Sequence, residues 1–154
     1  MYKIAISGKA NSGKNTVSQL LCEEIRYNGY DKVIPLSSDF KHTEIFTHKI
    51  LAFADPIKEM ILHMYPQVKR KHLFGSSHLR NKIIDGSFKD GAPLTIRKLL
   101  QDLGEGSKQY NPKIWIEALN KSLIKHQKNN IHVVIVSDLR FIDEFNFLKE
   151  NINN

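Results

Sequence analysis

Gly8, Gly13 and Lys14 have the spacing of a phosphate-binding glycine loop, G-x-x-x-x-G-K-[ST], with Asn15 where the hydroxyl residue usually stands. Glycines let such a backbone turn with its N–H groups facing inward, and the helix that follows adds a positive N-terminal end. The expected cradle for a nucleotide's phosphates runs through Gly8, Lys9, Asn11, Ser12, Gly13, Lys14, Asn15 and Thr16, with Lys14 reaching the outer phosphates. Asn15 lacks the hydroxyl that would hold Mg²⁺. That task passes to Thr16, or the ion is left to the nucleotide and water. Two further charged pairs follow short apolar runs: Asp55 with Lys58, and Asp138 with Arg140.

These residues need elements to place them. Tyr2 to Ile6 reads as a short strand, and Val17, Leu20, Leu21 and Ile25 share one face of a helix that Gly29 stops. Lys32 to Leu36 suits a short strand, whereas residues 37–48 form a polar stretch that suits one short helix or an ordered loop. Ile50 to Ala54 suits a buried parallel strand, with Asp55 as N-cap and Pro56 as first residue of a helix to about Tyr65. From 66 to 93 periodicity fades into a basic, glycine-dotted stretch, read as a substrate-side insertion. Thr95 caps a helix carrying Ile96, Leu99, Leu100 and Leu103 and ended by Gly104; Pro112 opens another, burying Ile116, Leu119 and Leu123. Ile131 to Val136 is a buried strand, and a last helix starts near Asp143. Strands alternating with helices predict an α/β domain with a mostly parallel sheet, whose ligands sit at the carboxyl ends of its strands. Lys14, Asp55, Lys58, Asp138 and Arg140 all fall at such ends.

The 154 residues suit one domain with a small insertion. No apolar run approaches the roughly 18 residues that span a bilayer, and Met1 leads directly into a strand, so a cytoplasmic protein without a membrane partner is expected. Cys22 is the only cysteine, which excludes an intrachain disulfide and suits a buried structural thiol. The seven histidines show no HxxxH or HxH spacing, so magnesium is the only metal expected. A formal charge of +7 favours polyanions. The densest cluster, Lys69-Arg70-Lys71-His72, lacks aromatic interleaving, which makes nucleic acid the lesser expectation beside nucleotides.

Together the pieces Ser7-Gly8 to Gly13-Lys14-Asn15-Thr16, Phe53-Ala54-Asp55-Pro56-Ile57-Lys58, Arg97 to Gly104, Trp115, and Ser137-Asp138-Leu139-Arg140-Phe141 with Glu144 span most of the chain. In this order the chain resembles the phage-type deoxynucleoside monophosphate kinases, relatives of phosphomevalonate kinase among the P-loop kinases. That family often carries Asp after the loop lysine, and Asn15 is its neutral isostere. The resemblance implies a P-loop NTPase-type three-layer α/β/α fold with a helical substrate-binding insertion. It also implies ATP and Mg²⁺ as cofactors, nucleotide substrates, and, if the source is viral, the host cytoplasm. The family continues into a basic lid and a further strand, so a truncated, split or minimal enzyme with a short or missing lid is expected; a homodimer is left open.

The implied reaction is transfer of the γ-phosphoryl of ATP to a (deoxy)nucleoside monophosphate. Lys14, Asp138 and Arg140 are its expected catalytic residues. Thr16 and Asp138 would hold Mg²⁺, Asp138 through water, unless Asp138 only caps the last helix. Arg140 clamps a phosphate or pairs with Asp143 or Glu144 to order its loop. Lys58 takes the acceptor phosphate, Arg97 and Gln101 its phosphate and base. Asp55 touches the sugar or caps its helix, and Trp115 stacks on a base or packs in the core. The alternatives are a related small-molecule kinase, of the phosphomevalonate or dephospho-coenzyme A type, and a nucleotide-binding module without turnover.

Overall fold

Alternation of apolar runs with amphipathic segments gives a mixed α/β molecule in the computed structural model, which describes residues 1–9, 12–29 and 47–152. The expected strand from Lys32 to Leu36, residues 37–46 of the polar stretch, and Asn11 lie outside these residues. The chain divides into two units, one of Met1–Phe53 with Leu119–Asn154 and one of Ala54–Ala118. The 66–93 stretch is therefore part of a larger unit that takes in the helices on both sides of it.

The first unit is built on a parallel three-stranded sheet of β1 (Tyr2–Ser7), β2 (His48–Leu51) and β5 (Val133–Leu139), in the order β1-β5-β2. Its central strand is the most apolar, as a strand covered on both faces must be: Val134, Ile135 and Val136 are wholly buried. Helix α1 (Lys14–Gly29) follows β1, and α6 (Ile142–Ile152) follows β5. The buried side of α1 is turned from the expected one. Ser18 and Cys22 are buried with Leu21 and Ile25 partly so, whereas Val17 and Leu20 are exposed. Ser18 is small enough to face inward because its hydroxyl donates to the Lys14 carbonyl at 2.8 Å, which satisfies the only polar group it brings. Cys22 is a structural thiol, and burial followed by the nearby Glu23 charge pushes its pKa up.

The second unit holds α2 (Asp55–Met64), α3 (Arg70–Phe74), a 3-10 helix (Ser77–Asn81), the antiparallel hairpin β3 (Ile83–Lys89) and β4 (Ala92–Thr95), α4 (Ile96–Tyr110) and the start of α5 (Ile114–Lys128). Its core is Ile57, Ile61, Val68, Leu73, Ile84, Leu94, Ile96 and Leu99, with Trp115 packed against them. Thus the aperiodic 66–93 stretch is ordered by sending one apolar side chain at a time, Val68, Leu73 and Ile84, into a shared core. Thr95 caps α4 as expected, its hydroxyl accepting from the Lys98 N–H at 3.2 Å. Gly104 does not end α4. Ile57 approaches there, 3.4 Å from the position of a Cβ, and the helix runs on through it to Tyr110. Asp102 on α4 accepts from Lys98 at 2.7 Å and from Lys89 of the hairpin at 2.8 Å, and these hydrogen bonds hold its carboxyl below the usual range. Among the described residues no helix is long and apolar enough to cross a membrane.

Candidate functional site

The loop between β1 and α1 is closed by its own lysine. Lys14, the first residue of α1, folds back so that Nζ donates to the Gly8 carbonyl at 2.7 Å and the Lys9 carbonyl at 2.5 Å, with the Ser12 hydroxyl at 3.5 Å. At Gly8 the approach is close: a Cβ there would stand 2.7 Å from Ser12 Oγ, and the serine side chain would have to turn away. Gly13 is required by conformation, since its φ of +79° lies in the left-handed region. Asn15 and Thr16 occupy the exposed first turn of α1. An ammonium held on exposed carbonyls, a turn and a helix N-terminus are thereby brought to one place. That combination suits an anion that takes over Nζ from the two carbonyls.

Parallel pairing brings the second charged segment to the same end of the sheet. Ser7 is in register with Leu139, so the loop leaves β1 beside Asp138 and Arg140. Asp138 Oδ1 accepts from the Phe53 N–H at 2.7 Å and ties β5 to the chain leaving β2. The expected ion pair of Arg140 with Asp143 or Glu144 does not form among the described residues. Glu144 is buried and reaches back one turn instead, its Oε2 accepting from the backbone N–H of Arg140 at 2.8 Å and of Phe141 at 3.1 Å. A carboxylate in the first turn satisfies otherwise orphaned N–H groups and opposes the helix dipole, so it is worth more there than on an exposed guanidinium. Arg140 is left exposed.

In the second unit Asp55 is not the N-cap. Ala54 occupies that position, and Asp55, one residue into α2, turns to Lys58 Nζ at 2.8 Å. Lys58 is largely covered, with a side chain 12% exposed, and its ammonium lies 4.8 Å from the centre of the Phe74 ring. Arg97 is a brace: Nε donates to Asn81 Oδ1 at 2.9 Å and Nη2 to the Ser77 carbonyl at 2.8 Å, fixing the 3-10 helix to α4. Gln101 lies exposed one turn further along α4. Trp115 packs on the core, and its indole N–H donates to the Gly104 carbonyl at 3.0 Å. Core packing with a satisfied N–H accounts for its position.

The basic run from Lys69 is not bare of aromatic company. Arg70 Cζ lies 4.2 Å from the centre of the Phe74 ring. The signal was present in the i, i+4 spacing of Arg70 and Phe74, which stacks two side chains on one helix face. His72 is buried beside this pair, and its Nδ1 accepts from the Lys69 N–H at 3.0 Å. Burial, then the charges of Lys82, Lys71 and Lys69, push its pKa down, so the ring is held neutral. Comparison with the models of known protein families gives no match, and comparison with curated proteins gives none either.

Proposed function

We propose that this chain is an ATP-dependent kinase of (deoxy)nucleoside monophosphates, with a P-loop type fold in its first unit. The observation that carries the proposal is Lys14 Nζ lying on the Gly8 and Lys9 carbonyls at the N-terminus of α1, in a loop that leaves β1 beside Asp138 and Arg140. Lysine bound to its own loop carbonyls is poised to exchange them for β- and γ-phosphate oxygens at little cost, because both partners are exposed. Backbone N–H groups of the loop and of the first turn of α1 then receive the remaining oxygens. Arg140, exposed and with a planar fork, stabilises the charge that develops on the transferred group.

In the proposed reaction an oxygen of the acceptor phosphate attacks Pγ. The new P–O bond forms as the bond from Pγ to the β,γ-bridging oxygen breaks, and ADP leaves. An acceptor already anionic near neutral pH needs no strong base, so the protein's work is positioning and charge neutralisation. The hydroxyl of Thr16 and the carboxylate of Asp138 are hard oxygen donors that fit Mg²⁺, and Asp138 is fixed at its strand end by the Phe53 N–H. When bound, that ion neutralises the phosphates. Lys58, Asp55 and Gln101 of the second unit are assigned to the acceptor, with Arg97 as a brace and Trp115 in the core supporting them.

ADP formation from ATP and Mg²⁺ in the presence of a panel of deoxynucleoside and nucleoside monophosphates tests the proposal. Turnover with at least one is expected. ATP binding with no turnover on any member would sink the kinase reading, and turnover on phosphomevalonate or dephospho-coenzyme A alone would reassign the acceptor.

A further inference from the structure

The second unit contains three arginines, Arg70, Arg80 and Arg97, and they are not equivalent. Arg97 spends two of its nitrogens on the 3-10 helix, and Arg80 donates to the Leu73 carbonyl at 3.0 Å. Both hold backbone in place. Arg70 makes one ion pair, Nη1 to Glu59 Oε1 at 2.8 Å, and its side chain is 64% exposed. Its guanidinium lies on the Phe74 ring, 4.2 Å from the centre, and Nη1 is the nitrogen that meets Glu59. Lys58 lies over the same ring, so two positive heads converge on one aromatic side chain. Around them the segment 69–82 carries Lys69, Arg70, Lys71, Arg80 and Lys82 and no carboxylate.

We propose that Arg70, oriented by Phe74, is a ligand of the acceptor's phosphate together with Lys58. The inference rests on the monophosphate-kinase reading above and names the residues that would take the acceptor. The chemistry favours a compact dianion: a fork supplies paired donors, a covered ammonium supplies a point charge, and α3 and the 3-10 helix are braced by Arg80 and Arg97, so little order is lost on binding. Asp55 and Glu59 neutralise the two cations beforehand and keep them from repelling each other. Phe74 is a positioning residue, acting through Arg70.

The test compares wild type with Arg70→Ala, Arg70→Lys, Phe74→Leu and Phe74→Tyr, using the monophosphate that wild type turns over best. Arg70→Ala should raise the acceptor KM roughly ten- to hundredfold, the range expected for loss of a charge-assisted contact, with the ATP KM unchanged. Arg70→Lys should fall between, because it keeps the charge and loses the fork. Phe74→Leu should raise the acceptor KM less than Arg70→Ala, and Phe74→Tyr should restore it. Unchanged acceptor KM in Arg70→Ala, beside an active wild type, overturns the inference and leaves the kinase reading standing. Absence of turnover and of monophosphate binding in wild type overturns both. Salt-sensitive binding of a single-stranded oligonucleotide that Arg70→Ala abolishes, with acceptor KM unmoved, would overturn it in favour of a nucleic-acid surface.

Discussion

The loop from Gly8 to Lys14 and the basic segment from Lys69 to Lys82 both gather positive charge, but they hold it by different means. In the loop, the cation is gripped by neighbours in sequence: Lys14 bonds Gly8 and Lys9, and the turn depends on Gly13. In the basic segment, contacts from distant parts of the chain share the work: Arg70 lies on Phe74 but meets Glu59 of α2, and the 3-10 helix is held by Arg97 of α4. The loop is thus a local device that works wherever its strand and helix are supplied, whereas the basic segment is a tertiary device that exists only if its core folds. Charge in the first should be removable without harm to the fold, and the core beneath the second should not.

The sharpest break of this comparison is chemical. Lys14→Ala should lower phosphoryl transfer by on the order of a hundred- to a thousandfold, the usual loss when one electrostatic contact to the transition state is removed. Its urea midpoint should barely move, because the hydrogen bonds of Nζ are exposed. A large stability loss would show that the loop lysine is structural. In the second unit the order reverses. Leu73, whose carbonyl anchors Arg80, has its side chain wholly buried in the core, and Leu73→Ala should cost about 2–5 kcal/mol in a urea titration. A midpoint close to wild type would mean that the basic segment does not depend on its core.

Thr95→Ala removes the cap of the helix that carries Arg97, and should cost about 1 kcal/mol in the same titration. The smallest expected effect is that of pH. Since the His72 pKa is lowered in the folded state, the unfolded chain takes up a proton more readily. The histidine's contribution is then complete above about pH 6.5 and is lost as pH falls below that value towards the folded pKa. The urea midpoint should therefore drop between about pH 7.5 and 5.5, and His72→Gln should flatten the drop. An equal drop in both proteins would place the titration elsewhere.

Much of the candidate site could be read directly from the chain. Gly8, Gly13 and Lys14 announce a turn whose requirements are steric and local, and the apolar run from Ile131 to Val136 announces a buried strand, observed as Val133–Leu139. Thr95 three residues before Lys98 announces a cap for the same reason. Other residues gave the wrong sign. Asp55 before Pro56 has the look of an N-cap, but Lys58 at i+3 competes for the carboxylate and wins. Gly104 has the look of a helix stop, yet it serves the approach of Ile57. On α1, Val17 and Leu20 outrank Ser18 in hydrophobicity, yet Ser18 is the buried one, because a serine bonded to its own helix packs as a small apolar residue would.

The sequence by itself determined the features that depend on a few bonded neighbours: a glycine loop ending in Lys14, caps and turns, and a parallel core strand flanked by helices. Only the tertiary structure decided which carboxylate each cation meets, that Asp138 ties two strands where Glu144 caps the helix, and that Arg97 braces while Arg70 presents its fork. Short-range sterics leave a mark in residue spacing. Pairing between long polar side chains does not, since several partners lie within reach of each charge and the packed core beneath them selects one.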